Sequence, residues 1–264
     1  MLFELGAYRL LGNDPERTWR FSRVWVPWFL DWMTENVAYG MARIPAEGGV
    51  VLAINHLSAI DPPAVGIHSL RTIRYMTKVE LLQTPIVGEF LRMTGTFAVR
   101  RGEGDRDSIR VARWLLANGH IVGVFAEGTR RPFGYPDATQ PGAALLAMQE
   151  GVPLVPIGLD SFGWSLRNRR PTAVVCGEPL DLSPFPRNGA GYKEATGVIE
   201  AELIRLWKLA VHAVEDGMPE RLRDGTERDA PLRRRDLLYP PTGPPWPTEP
   251  WAEGPLGPVY KAIT

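Results

Sequence analysis

The sequence predicts an α/β fold: a central, largely parallel sheet flanked by helices, with an N-terminal amphipathic helical segment and an irregular proline-rich C-terminal arm. From residue 48, short apolar segments bounded by glycines alternate with longer segments of helical periodicity, as in parallel sheets with crossover helices. With 264 residues, 44% of them hydrophobic, the chain can bury a substantial core in one domain with extensions. The formal net charge of +0 indicates no polyanionic partner, so nucleic acid is not expected.

Residues 1–45 form the first predicted unit, a membrane-interface helical segment rich in aromatic residues. Its aromatic stripe follows helical spacing and consists of Phe21, Trp25, Trp28, Phe29 and Trp32. Asp31, Glu35 and Asn36 interrupt any spanning segment. Pro27 is expected to kink or restart the helix. Two interpretations stay open: the stripe packs on the domain, or it anchors the protein at a membrane interface beside nearby arginines.

Residues 46–217 form the predicted α/β domain. Apolar runs short enough for buried strands lie at 49–54, 72–76, 96–99, 121–125, 154–158 and 172–176. Helical periodicity predicts helices over 62–70, 85–93, 105–117, 138–149 and 190–216. Gly119 stands just past the third of these helices, the usual place for a terminating glycine. Cys176 is the only cysteine, which excludes an internal disulfide and predicts a buried, unreactive thiol.

Residues 218–264 form a third predicted unit, an arm without a packed element. Its first part is dense in charge and its second part is rich in proline, a composition typical of irregular structure. We expect this arm to lie over the domain or on a partner.

The first candidate site follows the predicted strand at 49–54, where His56 and Asp61 share one loop. Asp61-Pro62 predicts a helix start, with aspartate at the N-cap and proline in the first turn. A carboxylate can accept a hydrogen bond from one imidazole nitrogen, which leaves the other nitrogen free to take a proton from a hydroxyl. By themselves these residues are more often a structural histidine and a capping aspartate.

A second polar loop, Glu127-Gly128-Thr129-Arg130, follows the predicted strand at 121–125. With Asn55-His56 and Asp61, it resembles the E-G-T-R and N-H-x4-D blocks of the PlsC-type glycerolipid acyltransferase family. The likeness covers about residues 48–160. Three further segments of the chain resemble blocks of the family: Lys78-Val79-Glu80-Leu81, Gly95 to Arg101, and Val152 to Ile157. Arg101 takes the place of the family's arginine, although Arg100 stands where an acid often precedes it.

The resemblance implies an O-acyltransferase of phospholipid synthesis that uses acyl-CoA as co-substrate and no other cofactor. His56 would be the general base and Asp61 its orienting partner. The implied substrate-binding residues are Lys78, Arg101, Glu127, Gly128, Thr129 and Arg130. The expected acceptor is a 1-acylglycerol 3-phosphate. Alternatives are another acceptor, such as glycerol 3-phosphate, a lysophospholipid or a glycolipid sugar, and a catalytically idle lipid-binding module.

Several other classes of site are not expected. The four histidines are scattered without the spacing of zinc ligands, and no phosphate-binding glycine loop follows a strand. Neither a run of 18 apolar residues nor a signal peptide is apparent. We therefore expect a peripheral, monotopic protein on the cytoplasmic face of the cell membrane, bound to the membrane surface through residues 1–45.

Overall fold

The computed structural model describes residues 15–85, 87, 88, 91, 94–99 and 106–232, and a seven-stranded sheet forms its centre. The strands are β1 (Asn36–Tyr39), β2 (Val50–Ile54), β3 (Ile73–Lys78), β4 (Phe97–Val99), β5 (Ile121–Phe125), β6 (Leu154–Asp160) and β7 (Thr172–Cys176). Their order is β1-β7-β6-β2-β5-β3-β4, and every neighbouring pair is parallel except β6 and β7. The predicted α/β class with a largely parallel sheet is confirmed.

The described helices are α1 (Pro15–Met33), α2 (Asp61–Gly66), α3 (Val79–Leu82), α4 (Arg106–Ala117), α5 (Gly142–Glu150) and α6 (Gly189–Glu215). A short 3-10 helix covers Met41–Arg43. Helix α5 begins four residues later than predicted, because Ala138 adopts a left-handed φ of 47° and Pro141 occupies the N-cap. The helix predicted over 85–93 lies largely outside the described residues.

The sheet has a hydrophobic layer on each face, because successive strand residues point to opposite sides. Val50, Leu52 and Ile54 face the layer that contains α2. Val51 and Ala53 face the other layer, which α4, α5 and the first part of α6 complete. All five β2 side chains are fully buried, so β2 is a central strand whose end is held rigidly.

Strand β1 was not predicted and lies within the segment expected to be helical. It pairs in parallel with β7, from Asn36 opposite Thr172 to Tyr39 opposite Val175. Residues 218–232, the described start of the C-terminal arm, cover its other edge. There the Asp229 backbone N–H donates to the Ala38 carbonyl at 2.8 Å. This part of the arm therefore protects an edge strand.

Helix α1 is amphipathic, and its described side chains pack on the domain through one face. Pro27 lies inside the helix and does not end it, so the predicted restart is wrong. Leu30 and Met33 hold the last turn, since both are buried against Ile60. The described members of the aromatic stripe point away from this contact and are exposed: Trp25 (38%), Trp28 (74%), Phe29 (40%) and Trp32 (52%). Within the described residues, no helix has the length and apolar character needed to cross a membrane.

Candidate active site

The candidate site lies at the sheet edge where β2, β5 and β6 end. Parallel strands bring their carboxyl ends to one edge, which is where α/β proteins bind ligands. His56 follows β2, Glu127 follows β5 and Ser161 follows β6. Asn55 fastens two of these strand ends, because its side chain accepts from the Leu159 N–H at 2.7 Å and donates to the Leu159 carbonyl at 3.0 Å.

His56 and Asp61 are in direct contact. The Nδ1 atom of His56 lies 2.7 Å from Oδ2 of Asp61, whose side chain is completely buried. An ionised carboxylate only accepts hydrogen bonds, so this contact places the imidazole hydrogen on Nδ1. The His56 side chain is 16% exposed. The Nε2 atom has no hydrogen-bond partner among the described residues.

Asp61 does not cap the helix, contrary to the sequence prediction. The N-cap residue is Ile60, and Asp61 is the first residue of α2. Its carboxylate turns back into the loop instead. Besides His56, it accepts the backbone N–H groups of Leu57 at 2.7 Å and Ser58 at 2.9 Å. The aspartate thus fixes the shape of the loop that carries the histidine.

The imidazole plane is fixed by aromatic stacking. The His56 ring stacks on Phe125 at 4.1 Å between centroids, and Phe125 stacks on Tyr75 at 5.8 Å. The Tyr75 hydroxyl donates to the Pro62 carbonyl at 2.9 Å, which ties this ladder to α2. One face of the imidazole is therefore covered by Phe125.

The second polar loop is joined to the histidine loop through the backbone. The Arg131 N–H donates to the His56 carbonyl at 2.8 Å, and the Ala126 N–H donates to the Ile54 carbonyl at 2.8 Å. Gly128 adopts a φ of +67°, which a residue with a side chain reaches only with strain. The structure thus brings the two predicted blocks together.

Glu127 lies beneath this loop, with only 3% of the residue exposed. Neither carboxylate oxygen makes a well-formed hydrogen bond within the described structure. Burial raises the pKa of Glu127 to about 8, although the nearby Arg131 charge and the His56 backbone N–H oppose this rise. Burial therefore favours the neutral form of this carboxyl group.

The predicted basic residues have different surroundings. Arg131 forms an ion pair with Asp137 at 2.7 Å and donates to the Asp137 carbonyl, so it holds its own loop. Arg130 and Thr129 are exposed, and Arg130 makes no hydrogen bond or ion pair with a described residue. Lys78 is exposed at the end of β3 on the same edge. Arg101 lies outside the described residues.

The chain is similar to proteins of one enzyme family. A family model described as Acyltransferase matches residues 37–160. A 1-acyl-sn-glycerol-3-phosphate acyltransferase of Bacillus subtilis (strain 168) is 34% identical over 150 residues, which cover 56% of this chain and 74% of the relative. The chain belongs to the PlsC-type acyltransferase family. It is accordingly an O-acyltransferase, as the resemblance implied.

Two further relatives extend the comparison. The human 1-acyl-sn-glycerol-3-phosphate acyltransferase alpha is 32% identical over 157 residues, which cover 57% of this chain and about half, 54%, of the human protein. The crystal structure of the 1-acyl-sn-glycerophosphate acyltransferase PlsC from Thermotoga maritima has a TM-score of 0.56. It covers 72% of this chain and 80% of that chain at 20% identity, so this likeness concerns the fold.

Some residues of this acyltransferase site were not identified from the sequence. Ser161 hydrogen-bonds to Asp61 from 100 positions away, and Phe125 supports the imidazole from the end of β5. Their only sequence signal is position, since each stands at or just after the end of a buried strand. In the part of the chain that the structure describes, no group of three or more His, Cys, Asp or Glu side chains could hold a metal ion.

Proposed function

We propose that this acyltransferase moves a fatty acyl group from acyl-CoA to the free hydroxyl of a 1-acylglycerol 3-phosphate, giving phosphatidic acid in phospholipid synthesis. The observation that carries the proposal is the state of His56. Its Nδ1 atom is held 2.7 Å from a buried carboxylate, while no described residue hydrogen-bonds to its Nε2 atom. That is the arrangement a general base for a hydroxyl requires.

The reaction needs few protein groups because a thioester is already activated. The acceptor hydroxyl gives its proton to Nε2 of His56 as its oxygen bonds to the thioester carbonyl carbon. The carbon–sulfur bond then breaks, and the departing thiolate takes the proton back from the imidazolium. Asp61 stabilises the imidazolium in between. General-base catalysis accelerates such a step by about 10²–10⁴-fold. Holding both substrates in place lowers the activation barrier by roughly 7–11 kcal/mol.

Arg130 is the residue we propose for the acceptor phosphate. Its guanidinium is exposed and unpaired among the described residues, and a guanidinium can bind phosphate through two parallel hydrogen bonds. Lys78 adds a second exposed cation on the same edge. Arg131 is less suited to this role because Asp137 already pairs with it.

The proposal is tested by the release of free thiol from palmitoyl-CoA with and without lysophosphatidic acid. We expect thiol release that depends on the acceptor, together with phosphatidic acid as the product. Glycerol 3-phosphate, lysophosphatidylcholine and monoacylglycerol serve as alternative acceptors in the same assay. Faster turnover with one of them would replace the proposed acceptor. Absence of thiol release with every acceptor would favour an idle lipid-binding module.

Arg130→Ala should raise the KM for lysophosphatidic acid more than it lowers kcat. A hydrogen bond to a charged group contributes about 1.5–3 kcal/mol, or roughly a 10- to 150-fold change in KM. The KM for monoacylglycerol, which lacks the phosphate, should rise much less. The measurement is steady-state kinetics with both acceptors.

The matched control for Arg130 is Arg187→Ala, which removes an exposed arginine near Gly151 and away from the site. Its kinetics should match those of the unaltered protein. Equal losses with both acceptors in Arg130→Ala would mean that the arginine supports the loop and does not bind phosphate.

We further propose that the face of α1 formed by Trp25, Trp28, Phe29 and Trp32 lies on a membrane surface. The exposed side chains continue into the loop after β6, where Phe162 (43%) and Leu166 (60%) are also exposed. Trp164 of that loop donates to the Met33 carbonyl at 3.4 Å, and the Arg169 guanidinium lies 4.6 Å from the Trp32 ring centroid. Aromatic rings beside arginines match the headgroup region of an anionic bilayer, and this surface adjoins the edge that carries His56.

Replacing Trp28 and Trp32 together with glutamate should weaken binding to phosphatidylcholine vesicles that contain phosphatidylglycerol. Burying an aromatic side chain contributes about 1.5–3 kcal/mol, so we expect at least a roughly tenfold loss in vesicle cosedimentation. Thermal unfolding should change little, because both side chains are largely exposed. Val198→Glu, at a 41% exposed position on α6, is the matched control and should bind normally. Unchanged cosedimentation of the double variant would refute the proposal.

A further inference from the structure

We infer that Ser161 is a positioning residue for the acyl transfer, acting through Asp61 on His56. Ser161 is the first residue after β6, immediately beyond the segment that matches the family model. It is completely buried, and its hydroxyl donates to Oδ1 of Asp61 at 2.5 Å. The inference rests on the proposed role of His56 as the base.

The two oxygens of Asp61 have different partners. Oδ2 accepts from Nδ1 of His56 and from the backbone N–H groups of Leu57 and Ser58. Among the described residues, only the hydroxyls of Ser58 and Ser161 reach Oδ1, at 3.0 and 2.5 Å. The loop therefore supplies three partners to one oxygen, whereas the other oxygen depends on two serines.

In the intact site, Ser58 does not duplicate the contact that Ser161 makes with Asp61. The Ser58 hydroxyl has one hydrogen and two acceptors, Oδ1 of Asp61 and Oγ of Ser161, the latter at 2.9 Å. The Ser161 hydroxyl has Asp61 as its only acceptor among the described residues. Whichever way Ser58 points, the shortest bond to Oδ1 comes from Ser161.

This bond matters because the last torsion of an aspartate side chain is soft. No staggered well fixes the carboxylate plane, so hydrogen bonds determine its direction. With Oδ1 held from β6 and Oδ2 held from the β2–α2 loop, the plane stays aligned with Nδ1 of His56. Two strand ends that are distant in sequence thereby set the direction of one imidazole.

The test compares Ser161→Ala in the unaltered protein and in an Asp61→Asn background. A hydrogen bond to a charged group makes a difference of about 10- to 100-fold, and we expect this loss in kcat with KM unchanged for both substrates. In the Asp61→Asn background the loss should shrink to less than about threefold, because the charge that Ser161 orients is absent. An additive effect, a change in KM alone, or an unchanged kcat would each overturn the inference.

Two further variants keep the test decisive. Ser69→Ala removes another buried serine hydroxyl, which donates to the Arg71 carbonyl at 2.7 Å before β3, and should leave kcat unchanged. If Ser161→Ala does not fold, Ser161→Cys takes its place in both backgrounds, since a thiol is a weak donor. Activity of the unaltered protein and its loss in His56→Ala test the proposed base independently of Ser161.

Discussion

His56→Ala should abolish acyl transfer while leaving the fold nearly intact. The base contributes about 10²–10⁴-fold, and no other described side chain at this edge presents a free imidazole nitrogen to a hydroxyl. His56→Asn should lose as much, because an amide keeps polarity but cannot take up the proton. The measurement is thiol release from palmitoyl-CoA with lysophosphatidic acid, followed over long times to capture a low residual rate.

His212→Ala is the matched control for the loss of an imidazole. His212 lies on α6, is 40% exposed and contacts Glu215. Its removal should leave the rate unchanged. Binding of the acceptor should survive in His56→Ala, because the proposed phosphate contact belongs to Arg130. Turnover of His56→Ala at the unaltered rate would mean that the mechanism proposed above is wrong.

Asp61→Asn should lower kcat less than His56→Ala does and leave a measurable residual rate. The base is still present, but the negative charge that stabilises the imidazolium is gone. Asparagine has nearly the same shape, and its amide oxygen can still accept from Leu57 and Ser58. We therefore expect the Tm of Asp61→Asn to stay close to that of the unaltered protein, although kcat falls.

Asp61→Ala should behave differently, because it leaves several buried donors without an acceptor. One unsatisfied buried group already costs about 1–3 kcal/mol, so the free energy of unfolding should fall by at least that much.

The matched control for Asp61→Asn is Asp229→Asn. The Asp229 carboxylate also accepts a backbone N–H, from Met41 at 2.8 Å, but lies away from the site. Near-normal kcat in Asp61→Asn would show that His56 needs no charged partner.

The fold could be predicted where a strand is buried on both faces. A strand such as β2 carries an apolar residue at every position, and such a run is visible in the sequence itself. Strand β1 has only four residues, and it becomes a strand through its pairing with β7, more than 130 residues away. The local sequence pattern does not predict such a pairing.

The start of α2 also separates what local sequence predicts from what tertiary contacts decide. Asp61-Pro62 does mark a helix start, but the aspartate side chain turns away from the helix to bind His56 and Ser161. An aspartate at this position can either cap the helix or hold the histidine. Only the positions of His56 and Ser161 in the folded chain show which of the two it does.

The sequence by itself determined the family and the α/β class, and it predicted that His56 and Glu127 each follow a buried strand. These properties depend on residue type, spacing and periodicity, which are local. Tertiary structure decided that Glu127 is buried and that the described members of the α1 stripe are exposed. It also brought Ser161 to Asp61. These outcomes depend on distances between segments far apart in the chain, and such distances exist only once the sheet has formed.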